Sequence, residues 1–135
     1  MVFYLNEDKQ MTDVWRLPAI APWEKSCGKH PTQKPLSLLS RIILSSTNKN
    51  DWILDPFAGS CTTGIAANLI GRRFLGIERD LTFVEVGTNR RKEIDNYSMM
   101  LSYRSKIKDI VKLETIEPFE SSCCENVQDD LPFIC

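Results

Sequence analysis

The sequence predicts an α/β fold in which parallel strands are joined by a helix. Two short apolar runs support this prediction, at residues 52–55 and 73–78, because each has strand length and is bounded by turn residues. A strand, a helix and a second strand in that order form a right-handed unit with parallel strands. The first run is apolar on both faces, which is typical of a strand buried in a parallel sheet.

One helix is predicted before the first strand. Five prolines or glycines keep residues 18–35 in a loop, and Pro35 can open a helix as its first residue. Apolar residues then recur at helical spacing up to about Thr47, and the stripe consists of Leu36, Leu39 and Ile43, widened by Leu38 and Ile42.

Further helices are predicted after each strand. Residues 62–70 follow the first strand, and Gly71 can close that helix in a left-handed cap. A third helix begins near Leu81 and ends somewhere between residues 93 and 101. Residues 107–113 fit either a strand or a helix.

The charge is distributed unevenly along the chain. The length of 135 residues suits one small domain or part of a larger one. The net charge of the chain is −1. Residues 1–112 hold all 17 basic residues against 12 acids, whereas residues 113–135 hold six acids and no base. The body can therefore meet a polyanion and the tail cannot. Two interpretations stay open, phosphate contacts or a solvated surface, for four arginines: Arg72, Arg73, Arg90 and Arg91.

Composition excludes several classes of protein. No apolar run approaches the ~20 residues of a membrane span, and the N-terminus lacks the basic and apolar regions of a signal peptide. Five cysteines without a C-x-x-C pair, with a single His, argue against a metal site. We therefore expect reduced thiols and a cytoplasmic protein.

The segment from Asp55 to Gly64 predicts a ligand site. Small residues turn tightly between a strand and a helix, which directs backbone N–H groups at an anionic ligand group. Glu78 ends the next strand, 19 positions after Gly59, where an acid suits a ribose diol. Residues 30–35 supply groups that can bind a carboxylate and an ammonium. A nucleoside site beside an amino-acid site suggests S-adenosylmethionine (AdoMet).

The chain resembles the C-terminal half of a β-class DNA amino-methyltransferase, a group that methylates adenine N6 or cytosine N4. The likeness covers about residues 12–95. Its motifs occur in the family's order: D-V-W-x-x-P at 13–18, H-P-T-Q-K-P at 30–35, L-D-P-F-A-G-S-x-T-T-G at 54–64, G-R-x-F-L-G-I-E at 71–78, and the arginine pair 90–91.

The resemblance implies a role for each matching residue. The loop after the first strand would cradle the methionine part of AdoMet, Glu78 would accept hydrogen bonds from the ribose, and part of the 30–35 motif would hold the carboxylate end. The implied cofactor-binding residues are Thr32, Gln33, Lys34, Asp55, Pro56, Phe57, Ala58, Gly59, Ser60, Cys61, Thr62 and Glu78. The family usually has glycine at the position of Cys61, so we expect this side chain to crowd the cofactor or to bias the loop away from positive φ.

The resemblance also indicates what is missing. The family's catalytic motif, D/N/S-P-P-Y/F/W, has no match in the chain, so no catalytic residue is assigned. We expect a partial Rossmann-like fold with an incomplete sheet of two or three parallel strands. It divides into an extended lead (1–29), an AdoMet-binding half-domain (30–113) and an acidic flexible tail (114–135). DNA and a second polypeptide that supplies the catalytic motif and the target-recognition region are the expected partners.

Two other functions stay open. One is an inactive remnant or a cofactor-binding module without activity. The other is a nicotinamide-dependent oxidoreductase, which the order of strand, glycine loop, helix and acid permits. The full G-x-G-x-x-G spacing is absent, however, and the 30–35 motif would have no role in such an enzyme.

Overall fold

A computed structural model of the protein describes residues 11–28 and 30–112. The tail predicted at 114–135 lies outside the described residues, as do residues 1–10. Within the described part, the chain forms one short 3₁₀ helix, two strands and five α-helices. In chain order they are the 3₁₀ helix Pro22–Lys25, α1 (Leu36–Ser46), β1 (Trp52–Asp55), α2 (Thr62–Leu69), β2 (Arg73–Gly76), α3 (Leu81–Glu93), α4 (Tyr97–Ser105) and α5 (Lys108–Lys112).

The helices and the strand nearest the loop between β1 and α2 were predicted closely. Helices α1 and α2 and strand β1 lie where the sequence places them, and Gly71 has the expected positive φ, +76°. Pro35 occupies the N-cap position of α1 and is not its first helical residue. Strand β2 ends at Gly76, two residues before the predicted end.

The sequence did not determine where α3 ends or whether residues 107–113 form a strand or a helix. The structure answers both questions. Helix α3 ends at Glu93, and a new helix follows because the side chain of Asn96 accepts the backbone N–H of Met99 as an N-cap. Residues 108–112 form a helix, not a strand.

The two strands form a parallel sheet, as predicted. Trp52 pairs with Arg73 and Leu54 pairs with Leu75. Helix α2 connects the strands and lies against both of them. The βαβ unit therefore places the carboxyl ends of β1 and β2 side by side, which is where ligands bind in open parallel sheets.

Only one face of this sheet is covered by the described residues. Ile53 and Phe74 pack against the core beneath, whereas Trp52 and Leu54 on the other face are 64% and 61% exposed. The prediction that β1 is buried on both faces is therefore wrong for the described part of the chain. The guanidinium of Arg73 lies 5.7 Å from the ring centroid of Trp52.

The core lies between the helices and the covered sheet face. It contains buried residues of α1, α2, α4 and α5 and of the turns beside them: Leu36, Ile43, Leu44, Ile65, Ala66, Ala67, Leu69, Ile70, Ile94, Met100, Tyr103, Ile107 and Ile110. No helix in the described ranges has the length and apolar character needed to cross a membrane.

Buried polar groups connect the layers. Asp109, on α5, forms a two-bond ion pair with Arg41 of α1, with N–O distances of 2.8 and 3.1 Å. Arg72 is 3% exposed and donates to the carbonyls of Ile70 and Thr47. A guanidinium buried in this way does not reach solvent or phosphate, so neither of the roles left open for Arg72 is correct.

A hydrogen bond between α3 and α4 depends on pH. The Tyr103 hydroxyl donates to the Glu93 carboxylate at 2.5 Å. Burial and this bond raise the pKa of Tyr103 to about 12. Burial alone would raise the pKa of Glu93, but hydrogen bonds from Tyr103, Cys27 and Ser26 lower it on balance.

We expect Tyr103→Phe to lower the free energy of unfolding by about 1–2 kcal/mol at neutral pH. The depressed pKa of Glu93 makes this contribution complete above the unfolded value of ~4.3, and it is lost as pH falls through the folded value. Because the pKa of Tyr103 is raised, the contribution of the hydrogen bond is complete below the unfolded value of ~10 and is lost as pH rises through about 12. Urea unfolding measured across this pH range should show the largest difference in unfolding free energy between the unmodified chain and Tyr103→Phe at pH values of ~5 to ~10. The control is Tyr97→Phe, on an exposed side of the same helix. A difference that does not change with pH would contradict the assignment.

Candidate ligand-binding site

The loop after β1 is held by the carboxylate that precedes it. One oxygen of Asp55 accepts the backbone N–H of Phe57 at 3.0 Å, and the other accepts the Thr63 hydroxyl at 2.6 Å. The carboxylate thus closes the turn and connects it to the first turn of α2. This local role is the one that aspartate commonly has at the start of a turn.

Glu78 binds the same loop from the end of the second strand. Its Oε2 accepts the Gly59 N–H at 2.8 Å, and its Oε1 accepts the N–H groups of Arg79 and Asp80. The backbone N–H groups of Asp80, Gly59 and Arg79 lower the pKa of Glu78 against the opposing effect of burial. The structure therefore brings Glu78 and Gly59, which the sequence assigns to one ligand site, into direct contact.

The N–H groups of the loop are used differently from the prediction. Phe57 and Gly59 donate to carboxylates of the protein, Ala58 donates to the carbonyl of Ile77, and Cys61 donates to that of Ala58. In this conformation these four groups therefore bind acceptors of the protein itself, whereas the sequence predicts that N–H groups of the loop point at an anionic ligand. An acceptor on a ligand at Gly59 would have to displace Glu78.

The motif at residues 30–35 folds beside this loop. His30 Nδ1 accepts the N–H of Thr32, and its ring lies 4.1 Å from that of Phe83, measured between centroids. A Cβ on Gly59 would lie only 3.3 Å from His30 Nε2, which explains why the loop needs glycine there, in addition to its φ of +53°. The two motifs, about 25 residues apart in sequence, are in direct contact.

Gln33 has a buried acceptor that is not satisfied. Its Nε2 donates to the carbonyl of Glu24 at 2.9 Å, which turns the Oε1 in another direction. Gln33 is 8% exposed, and its Oε1 has no hydrogen-bond partner within the described ranges. Buried acceptors are normally paired, and this oxygen is an exception.

Glu24 positions this motif, and sequence reasoning missed it. Its carboxylate accepts the N–H of Leu36, the first residue of α1, at 2.8 Å and that of Ala21 at 3.2 Å. Helix starts leave such N–H groups without partners inside the helix. The only sequence signal was an acid three residues after Ala21, the pattern of a capping box without its usual Ser or Thr.

A cleft of about 200 Å³ lies between the loop and the motif. It is lined by His30, Thr32, Gln33, Lys34, Leu39, Asp55, Phe57, Ala58, Gly59, Ser60, Thr62 and Thr63. Three of the residues that the sequence assigned to a site, Pro56, Cys61 and Glu78, are not in this lining. Phe57 is 87% exposed, so the mouth of the cleft has an uncovered aromatic side chain.

Cys61 lies behind the cleft. It is 1% exposed, and a Cβ built on Gly87 of α3 would lie 2.9 Å from its Cβ. Its φ is +61°, so the expected bias away from positive φ is not seen: the loop keeps the left-handed conformation with a cysteine in it. The residue is absent from the lining of the cleft.

The two arginines of the 90–91 pair differ in their surroundings. Arg90 is 4% exposed and donates to Ser60 and Thr62 of the loop. Arg91 forms an ion pair with Asp95 on the surface. Neither role left open for Arg90, phosphate contact or a solvated side chain, is correct. No sequence signal separated the two neighbours.

A parallel βαβ unit with a cleft at the carboxyl ends of its strands defines a partial Rossmann-like α/β fold. A family model described as DNA methylase matches residues 4–89, and the chain belongs to that family.

Individual relatives match over the same region. Type II methyltransferase M2.MboI from Moraxella bovis is 64% identical over 90 residues, which are 67% of this chain and 33% of that protein. Type II methyltransferase M2.DpnII from Streptococcus pneumoniae is 51% identical over 68% of this chain and 34% of its own length. A solved M1.HpyAVI–SAM complex is 44% identical over 47% of this chain and 33% of that chain, with a TM-score of 0.45. The chain spans about a third of the length of the curated relatives that it matches.

Proposed function

We propose that this chain is the AdoMet-binding part of a DNA methyltransferase that methylates an exocyclic amino group of adenine or cytosine. The observation that carries the proposal is the cleft itself, which brings the 30–35 motif and the loop after β1 together. Gln33, whose buried Oε1 has no partner within the described ranges, is one of its lining residues. An ammonium group has donors for that oxygen, and an amino-acid end of AdoMet has such a group.

The proposed residue roles follow the contacts. Gln33 accepts the ammonium, and Thr32 and Lys34 attract the carboxylate, since both line the cleft. Glu78 accepts the ribose hydroxyls after exchanging its bond to Gly59. Asp55 and residues 56–62 support the methionine part, with Cys61 acting from behind. The half-domain at residues 30–113 is the proposed cofactor module.

The size of the cleft supports a partial site. Pockets for small ligands commonly have ~300–1,000 Å³, and this cleft has about 200 Å³. Phe57, which lines it, and Leu54 on the open sheet face are both largely exposed. We infer that another protein segment supplies the second wall, together with the D/N/S-P-P-Y/F/W motif, the target-recognition region and the contacts to DNA. Such a function belongs in the cytoplasm expected from the sequence.

The competing proposal is a remnant that folds without activity. The absence of a D/N/S-P-P-Y/F/W match in the chain favours it, since no residue is available to hold the target amine. The two proposals differ in what happens when the missing part is supplied, which an experiment can decide.

Titration calorimetry of the full chain with AdoMet tests the binding step. We expect weak binding that Gln33→Met reduces about tenfold, because a ligand ammonium then loses a buried acceptor. Asn89→Leu, which changes an exposed amide to an apolar group on α3, is the matched control and should bind as the unmodified chain does. No heat of binding at millimolar AdoMet would contradict the proposal.

A further inference from the structure

Arg90 is a buried cation aimed at the back of the loop. Its Nη1 donates to the Ser60 carbonyl at 2.6 Å, to the Thr62 hydroxyl at 2.9 Å and to the Ser60 hydroxyl at 3.1 Å. These bonds connect α3 to a turn about 30 residues earlier in the chain. Both loop residues are buried and both line the cleft.

The charge of Arg90 is not matched by a direct ion pair. The two ion pairs found within residues 11–28 and 30–112 involve Arg41 and Arg91, and the oxygens that Arg90 contacts are neutral. The carboxylates of Glu24 and Glu93 act on it only through space. Both already accept hydrogen bonds from other groups, Glu24 from backbone N–H groups and Glu93 from the hydroxyls of Ser26 and Tyr103. A buried charge that has only neutral acceptors is costly, and burial lowers the pKa of this guanidinium.

A bound anion in the cleft would offset this cost. A positive charge behind Ser60 and Thr62 favours an anion in front of them, because the low dielectric of the interior leaves the attraction largely unscreened. Lys34 lines the same cleft and adds a second cation.

We propose that Arg90 is a positioning residue for the carboxylate end of AdoMet. It holds Ser60 and Thr62 in the conformation that receives the carboxylate and supplies positive charge behind them. It acts through the loop and does not touch the ligand. This inference rests on the proposed function of the cleft.

The test compares two ligands that differ by the carboxylate alone, AdoMet and decarboxylated AdoMet. Calorimetry of the full chain should show that Arg90→Met weakens AdoMet binding about tenfold and decarboxylated AdoMet less than about twofold. A purely structural role would lower both affinities by the same factor, so equal losses would overturn the assignment. Arg91→Met removes the same charge one residue away, with no loop contact, and should leave both affinities unchanged.

Two further measurements keep the test decisive. Arg90→Lys retains the charge but offers one ammonium to three oxygens. It should bind AdoMet more weakly than the unmodified chain and more tightly than Arg90→Met. Its loss of affinity should again be larger for AdoMet than for the decarboxylated ligand. If circular dichroism shows that Arg90→Met does not fold, the two affinities of Arg90→Lys decide alone. Equal losses of affinity for AdoMet and decarboxylated AdoMet then overturn the assignment. Failure of the unmodified chain to bind AdoMet would overturn the proposed function as well, whereas equal losses overturn only the role of Arg90.

Discussion

Mixing this chain with a polypeptide that carries the unmatched two-thirds of M2.MboI should produce DNA methylation that neither piece shows alone. The proposed reaction displaces the AdoMet methyl group directly with the exocyclic amine of a flipped-out base. Its rate depends on holding the amine and the methyl group in line. This chain has the proposed cofactor cleft, and the catalytic motif must come from the other piece. Transfer of tritiated methyl groups from AdoMet to DNA measures the result.

The open sheet face provides the control for this experiment. Trp52 and Leu54 are 64% and 61% exposed, which is unusual for large apolar residues of a parallel strand, and a second layer would bury them. Leu54→Asp should leave the isolated chain folded, because the side chain is already in solvent, and should abolish complementation. Arg79→Asp, an exposed charge change beyond β2, should not. Methylation by this chain alone would contradict the proposal. An inactive mixture would favour the remnant, provided that M2.MboI cut at the same boundary regains activity.

Gly64→Ala should destabilise the protein by about 2–3 kcal/mol. A Cβ at this position of α2 would lie 2.5 Å from Phe74 Cδ1 and 2.6 Å from Cys61 Sγ, well inside normal contact distances. Alanine is the better helix former by about 1 kcal/mol, so propensity alone predicts the opposite sign. The sign of the change therefore decides between packing and propensity. Urea unfolding monitored by circular dichroism measures it.

A second substitution tests the cause of this effect. Phe74→Leu shortens the side chain that would collide with the new methyl group, so the double variant should be less destabilised than the sum of the two single variants. Additive losses would show that the ring of Phe74 is not the obstacle. A variant Gly64→Ala that is as stable as the unmodified chain would show that α2 can shift from the sheet without cost.

The local features of this chain were determined by its sequence. Helices α1 and α2, strand β1 and the order of the βαβ unit follow from apolar periodicity, turn residues and caps within a few neighbouring positions. The position of Glu78 beside the loop follows from the same order, because parallel strands place their carboxyl ends at one edge.

Only the tertiary structure decided which polar groups are buried and what they contact. Arg90 and Arg91 are adjacent and chemically identical, yet one binds the loop and the other lies on the surface, since a helix turns successive residues through about 100°. The bonds of Arg90 to Ser60, and of Glu24 to Leu36, join residues that no local pattern relates. The exposure of Trp52 likewise depends on what covers the sheet, and an apolar strand has the same sequence whether or not a second layer is present.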